Sequence, residues 1–273
     1  MRDELLTEAV CESTRDLDRR TTREIVAAIH AADRTVPDAV ARVLPEIERA
    51  VDMLVLVLNG GGRWFNVGAG TSGRLATIDA AELYPTFGFP PERVEGIMAG
   101  GHAALVRAAE GAEDSGDEAR EALRARDLMP GDAVLAISAS GRTPFALAAL
   151  EEASSVGARR IAVTCDPESP IALAAEVSIA PRVGPEVIAG STRMKGGLAQ
   201  KMVLHTLSTA VMVRLGRVEG NEMTNLVPSS RKLARRALRI VCERAGVAEA
   251  CARTALATAH GSVSGALALL RKR

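Results

Sequence analysis

The sequence predicts an α/β fold built on a parallel, doubly wound sheet, and three observations carry that reading. Short apolar runs recur at Trp64–Val67, Val94–Met98, Ala133–Ile137, Arg160–Thr164 and Val177–Ile179, with stretches of helical spacing between most of them. The first run turns through Gly68-Ala69-Gly70-Thr71-Ser72-Gly73 into a helical pattern, the order strand, glycine loop, helix. Further turns rich in hydroxyls follow the third and fifth runs, which is where a sheet of this kind holds its ligands.

Ahead of the first strand, residues 1–60 read as helical. Ser13-Thr14 and Thr21-Thr22 are N-cap candidates, the second preceding Arg23-Glu24 and the apolar Ile25, Val26 and Ile29. Pro37 stands near the start of one further periodic run, Val40, Val43, Leu44, Ile47, Val51 and Leu54, which closes at Asn59-Gly60-Gly61-Gly62. The expected organisation is a helical region over 1–55, a ligand-binding α/β domain over 56–217 and a C-terminal helical region over 218–273.

The glycine loop reads as a phosphate cradle: backbone N–H groups, with the Thr71 and Ser72 hydroxyls, face an anion on the positive end of the following helix. It is not a P-loop, since Arg74 follows Gly73 and no Gly-Lys-Ser/Thr is near. Gly68, Gly70 and Gly73 do satisfy the dinucleotide spacing, but no acidic residue closes a second strand about 20 residues on to meet a ribose. After the third strand comes Ser138-Ala139-Ser140-Gly141-Arg142-Thr143-Pro144, leading into a helix near Pro144. After the fifth come Gly184-Pro185-Glu186 and Gly190-Ser191-Thr192-Arg193-Met194-Lys195, at the mouth of a helix running through Val213. Three such turns at strand ends point to a sugar-phosphate site.

Lys+Arg and Asp+Glu balance at 34 each in 273 residues, which gives no basis for a nucleic-acid or anionic-membrane partner. The acidic start MRDELLTEAVCE and the lack of an apolar run of about 18 residues lead to the expectation of a soluble, cytoplasmic protein. Cys11, Cys165, Cys242 and Cys251 are scattered, and His30, His102, His205 and His260 form no ligand or triad spacing, so neither disulfides nor a metal is expected. Glu82 lies in an apolar run, Ala80, Ala81, Leu83 and Tyr84. Spacing leaves it either exposed on the far side of the helix or pocketed for acid–base work. Glu110 and Glu113, in AAEGAEDSGDE, read by default as a solvated acidic face.

The set GAGTSGR, AELYPTFG, GIMAGG, EGAED, SASGRTP and GPEVIAGSTRMKGGLAQKMVLHTLST, collinear from about Thr7 through Val241 and including DRTVPDAVARVLPEIERAVD, resembles the N-acetylmuramic acid 6-phosphate etherases, members of the sugar isomerase (SIS) domain superfamily. The resemblance implies a flavodoxin-like SIS core of five parallel strands and a homodimer with sites at the subunit interface. It implies cleavage of a lactyl ether by β-elimination and hydration, giving N-acetylglucosamine 6-phosphate and D-lactate, with no cofactor, in the recycling of peptidoglycan sugars. By motif, Glu82 and Glu113 match the family's acid/base glutamates. Ser72, Ser138, Ser140 and Thr143 match its phosphate ligands, with Thr71, Arg142, Ser191 and Lys195 beside them. The chain departs from the family pattern Ser-Glu-Cys-Pro-Pro-Thr at Ala81-Glu82-Leu83-Tyr84-Pro85-Thr86, and from Asn-Leu-Met-Val-Asp at Asn221-Glu222-Met223-Thr224-Asn225. It stops at Arg273, short of the final small helix of a typical member. Two other readings stand beside the etherase: a sugar-phosphate sensor like the glucokinase regulators, and an aldose–ketose isomerase. The pair Glu82 and Glu113 favours an enzyme.

Overall fold

The computed structural model describes residues 7–271; the first six residues of the expected N-terminal helical region and the last two of the C-terminal one lie outside it. The chain enters through two short 3-10 turns, Glu12–Thr14 and Leu17–Arg19. Ser13-Thr14 therefore caps no α-helix: the Thr14 hydroxyl donates instead to the Val187 carbonyl, 2.9 Å away across the fold. The second cap candidate does start a helix, α1 (Thr22–Asp33). Its Thr21–Glu24 capping box is closed both ways, the Thr21 amide donating to Glu24 Oε2 at 2.8 Å and the Glu24 amide to Thr21 Oγ1 at 3.4 Å.

The single run expected after Pro37 is two helices, α2 (Val36–Ala41) and α3 (Leu44–Asn59). Pro45 is the reason. Inside one continuous helix it would lack an amide proton and press its ring on the Ala41 carbonyl, whereas in the first turn of α3 neither cost arises.

The remaining elements alternate: β1 (Trp64–Gly68), α4 (Gly70–Phe87), β2 (Val94–Met98), α5 (Gly116–Arg124), β3 (Ala133–Ile137), α6 (Pro144–Val156), β4 (Arg159–Val163), α7 (Pro170–Ala174), β5 (Val177–Ile179) and α8 (Lys195–Arg214). Three helices follow, α9 (Arg231–Ala245), α10 (Glu249–Thr258) and α11 (Val263–Arg271). All four strand pairings are parallel, in the order β2-β1-β3-β4-β5. This is the flavodoxin-like order, with its switch point between β1 and β3. Four strands fall where the apolar runs lie. The fourth begins one residue earlier than expected, because Arg159 pairs with Ala133 while the Thr164 hydroxyl turns into the loop above the sheet.

Both faces of the sheet are covered. Trp64, Leu135, Ile137, Ile161 and Val163 pack on α3, α4 and α8, and Phe65, Val67, Val134 and Ala136 pack on α5 and α6. The C-terminal helices have an apolar cluster of their own, around Leu226, Ile240, Val241, Val263 and Leu267. At the base of the sheet the buried Asp132 carboxylate accepts from the Arg63 amide and guanidinium at 2.7 Å each, tying the start of β1 to the start of β3.

Close approach of α4 to β2 depends on Gly96, where an added Cβ would lie 2.5 Å from the Thr77 Cα. Gly96→Ala is expected to lower the unfolding free energy by about 1–3 kcal/mol in urea, while Gly131→Ala, with nothing within 4 Å of its Cβ, leaves it nearly unchanged. Equal midpoints for the two variants would contradict this packing.

Candidate functional site

The switch between β1 and β3 opens a crevice flanked by the N-termini of α4 and α6. On the β3 side the chain forms a compact hydroxyl nest. Ser138 Oγ lies 2.9 Å from Thr143 Oγ1 and 3.3 Å from Ser140 Oγ, and it accepts from the Gly141 amide at 3.0 Å. Ser140 Oγ accepts from the Arg142 amide at 3.3 Å. Gly141 makes the loop possible: its φ is +68°, and a Cβ there would sit 2.1 Å from Ser169 Oγ. Each hydroxyl holds one proton and can rotate it toward an anion lying on the α6 N-terminus. The Arg142 side chain is exposed at the rim.

On the β1 side, Thr71 and Ser72 occupy the first turn of α4. Gly73 brings that turn down on the strand, its absent Cβ leaving room 2.5 Å from the Gly68 carbonyl oxygen. Ser72 is buried and donates to Gln200 Oε1 of α8 at 3.0 Å. Arg74 serves the scaffold: its guanidinium donates to the Ala104 and Leu105 carbonyls.

The third turn joins these two through α8. A Cβ on Gly196 would come within 3.2 Å of Ala139 Cβ in the β3–α6 loop, and one on Gly197 within 3.3 Å of Thr71 Cγ2. The glycine pair thus wedges the first turn of α8 between the other two loops. The positive end of that helix already holds an anion, because the buried Glu186 carboxylate accepts from the Lys195 amide at 2.9 Å and the Gly196 amide at 2.8 Å. The Lys195 ammonium is itself buried and donates to the Val183 carbonyl at 2.6 Å. Ser191 is half-buried in the preceding loop, whose backbone is tied to the N-terminal segment through Gly190 N and the Thr7 carbonyl at 3.1 Å. Thr71, Ser72, Ser138, Ser140 and Thr143 therefore stand on two loops that meet at the switch point beside the first turn of α8, with Lys195 turned inward and Ser191 in the loop before that helix.

The two glutamates lie on different elements. Glu82 is on the exposed side of α4, its carboxylate 3.9 Å from Lys201 Nζ of α8, so within one chain the exposed alternative holds. Glu113 is exposed in the 3-10 turn Ala112–Asp114 between β2 and α5.

Sequence reasoning missed a buried polar seam. Besides the Ser72–Gln200 bond, α4 and α8 share a second one, from Ser208 Oγ to Asp79 Oδ1 at 3.1 Å. Asp79 lies one turn before Glu82 on the buried face of α4. Desolvation pushes its carboxyl above the ordinary value, against the smaller opposing effects of the Ser208 bond and the Lys201 charge. The spacing of Ser72, Ala76, Asp79 and Leu83 marks these positions as one face of a helix; the partners on α8 are more than a hundred residues away. Cys165, buried beneath the rim, has its thiol pushed up to about 12 by desolvation and stays an un-ionised core residue.

The chain is 50% identical to an N-acetylmuramic acid 6-phosphate etherase of Symbiobacterium thermophilum over 97% of its own length and 88% of the relative's. It is 47% identical to etherase 1 of Enterococcus faecalis over 98% of this chain and 89% of that one. The chain belongs to the N-acetylmuramic acid 6-phosphate etherase family. Family models for the SIS domain match residues 116–210, and for the glucokinase regulatory protein N-terminal SIS domain residues 46–154. Among solved structures, a phosphoheptose isomerase from Neisseria gonorrhoeae superposes with a TM-score of 0.55 at 19% identity, covering 70% of this chain and 98% of that one. A phosphoheptose isomerase from Francisella tularensis gives 0.55 at 18%, covering 71% and 100%. At those identities the likeness is one of fold, and the etherase family shares it. No described helix is long and apolar enough to cross a membrane.

The seam yields a pH-dependent test. An unfolded aspartate titrates near 3.8, and burial raises Asp79 in the fold, so the native state keeps this proton to higher pH. Its contribution to stability is therefore lost as pH rises above that value. Asp79→Asn is expected to be more stable than the parent at pH 7 in urea unfolding, with the gap closing toward pH 4; a less stable variant at pH 7 would sink this assignment.

Proposed function

We propose that the protein cleaves the lactyl ether of N-acetylmuramic acid 6-phosphate, releasing D-lactate and N-acetylglucosamine 6-phosphate. The observation that carries this reading is 50% identity with a curated etherase across nearly the whole chain. The hydroxyl nest at the β1/β3 switch supports it from the chemistry of the chain itself, since a phosphomonoester needs donors without a bulky base or ribose pocket.

The sugar reacts as its open-chain aldehyde. The carbonyl acidifies the C2 proton, a base removes it, and the C3 ether oxygen departs as it is protonated, leaving a C2=C3 alkene. Water then adds at C3 and a proton returns to C2, so atoms balance with proton transfers alone and the aldehyde serves as the electron sink. Ser138, Ser140 and Thr143, with Ser72 and Thr71 across the crevice, hold the phosphate. Arg142, Ser191 and Lys195 frame it. Glu82 protonates the departing lactate, and Glu113 moves the proton at C2 and activates water. The match to the glucokinase regulatory SIS domain covers a fold that sensors and enzymes share, and a sensor has no use for two acid–base carboxylates.

The site completes across a homodimer. Ser72 and Glu82 are ten residues apart on α4, about 15 Å of helix rise, more than the few carbons between the phosphate and the ether oxygen can span. Each copy then lends its Glu82 to the phosphate nest of the other. This arrangement fits a cytoplasmic enzyme acting on sugars recovered from peptidoglycan.

Glu82→Ala is expected to lose lactate release while still binding sugar phosphate, and Ser138→Ala/Thr143→Ala to lose binding. Dissociated, mixed and reassociated, the two inactive variants should regain about a quarter of parental activity, because random pairing in a two-fold dimer restores one intact site in each mixed dimer. No recovery would place each site within a single chain, and full activity of Glu82→Ala would remove that residue from the mechanism.

A further inference from the structure

The lactyl group brings to the site a second anion besides the phosphate. Its carboxylate sits on the carbon that bears the ether oxygen, so whatever protonates that oxygen works within a few ångströms of a negative charge. Once the acid has given its proton to that oxygen it is a carboxylate beside the lactyl carboxylate, and a cation next to the pair offsets the repulsion between them.

Among the described residues, Lys201 is the cation within ion-pair distance of Glu82, at 3.9 Å from Nζ to Oε2. It projects from α8 immediately after Gln200, whose side chain anchors Ser72, so the seam that orders the phosphate loop also sets the origin of the lysine stem. The side chain is partly covered, at 38% exposure, and its described ion-pair partner, Glu82, lies at 3.9 Å, beyond hydrogen-bond distance, so its N–H groups can turn to a ligand. Two other cations beside the loops are committed elsewhere. Lys195 donates to the Val183 carbonyl and Arg74 to the Ala104 and Leu105 carbonyls. Arg142 gives its backbone amide to Ser140 Oγ, and its side chain is exposed at the rim.

We propose that Lys201 binds the carboxylate of the lactyl group and makes the site selective for ethers whose leaving group is an anion. The lysine then has two partners in turn: Glu82 before the substrate binds, and the substrate's carboxylate when Glu82 carries its proton to the ether oxygen. Asp79, buried one turn earlier on α4, and His205, one turn later on α8, are the other titratable groups that face this pair. A pocket with a cation binds an uncharged amide less well, because the amide oxygen offers the ammonium a neutral hydrogen bond in place of a charge-assisted one. The inference rests on the etherase reading and adds the residue that recognises the leaving group.

The test compares N-acetylmuramic acid 6-phosphate with its lactamide, in which the carboxylate is replaced by a neutral amide of the same shape. The parent protein is expected to favour the acid. Lys201→Met should raise KM for the acid by about tenfold or more, the size of one charge-assisted hydrogen bond, with a smaller change in kcat and an unchanged kcat/KM for the amide. D-lactate should inhibit the parent and lose that effect in the variant, and Lys201→Arg, which keeps the charge, should retain most of the preference. If Lys201→Met slows acid and amide equally, or neither, the lysine does not read the carboxylate. A parent protein that releases the leaving group from neither compound overturns the etherase reading itself, a result distinct from either outcome for the variant.

Discussion

The buried carboxylate of Glu186 is the contact on which the site depends. By accepting from the first two amides of α8 it supplies the anion that a helix N-terminus attracts, and it does so from within the chain. The first turn of α8 can then lie as a wedge between the β1 and β3 loops, with Gly196 against Ala139 and Gly197 against Thr71. Because this positive end is filled, the ends of α4 and α6 remain for a ligand. The same anchored helix carries Gln200 to Ser72, Ser208 to Asp79 and Lys201 to Glu82.

What the sequence revealed and what it hid divide along the distance over which each interaction acts. The strands, the glycine loop and the SASGRT nest were legible because turn chemistry and periodicity are local: Gly141 is required by its own φ, and Ser138 and Thr143 meet within six residues of chain. The break between α2 and α3 was written in Pro45 and passed over because the apolar spacing runs on across it. The expected cap at Ser13-Thr14 had the right residue types, but its hydroxyl is claimed by the Val187 carbonyl, a partner no window around residue 14 contains. Glu186, Gln200 and Ser208 were invisible as partners for the same reason. Their roles are tertiary, and a polar residue on a helix reads as surface until the element that buries it is known.

The glutamates show the converse limit. The resemblance assigns Glu82 and Glu113 their chemistry, yet each is exposed in the single chain. An acid–base group gains its effect from being held against the substrate with water excluded. For Glu82 the single chain supplies Lys201 at 3.9 Å and leaves the carboxylate largely open. The fold thus separates two features, the hydroxyl nest at the switch point and the carboxylate on the outward face of α4.

The most direct test of the reaction assigned to this scaffold is turnover of N-acetylmuramic acid 6-phosphate by the purified protein in D2O, followed by NMR of both products. β-Elimination with rehydration predicts D-lactate together with N-acetylglucosamine 6-phosphate carrying deuterium at C2. Lactate released with the original proton retained at C2 would contradict elimination, and exchange at C2 without lactate would make the protein an isomerase-like catalyst on the same fold.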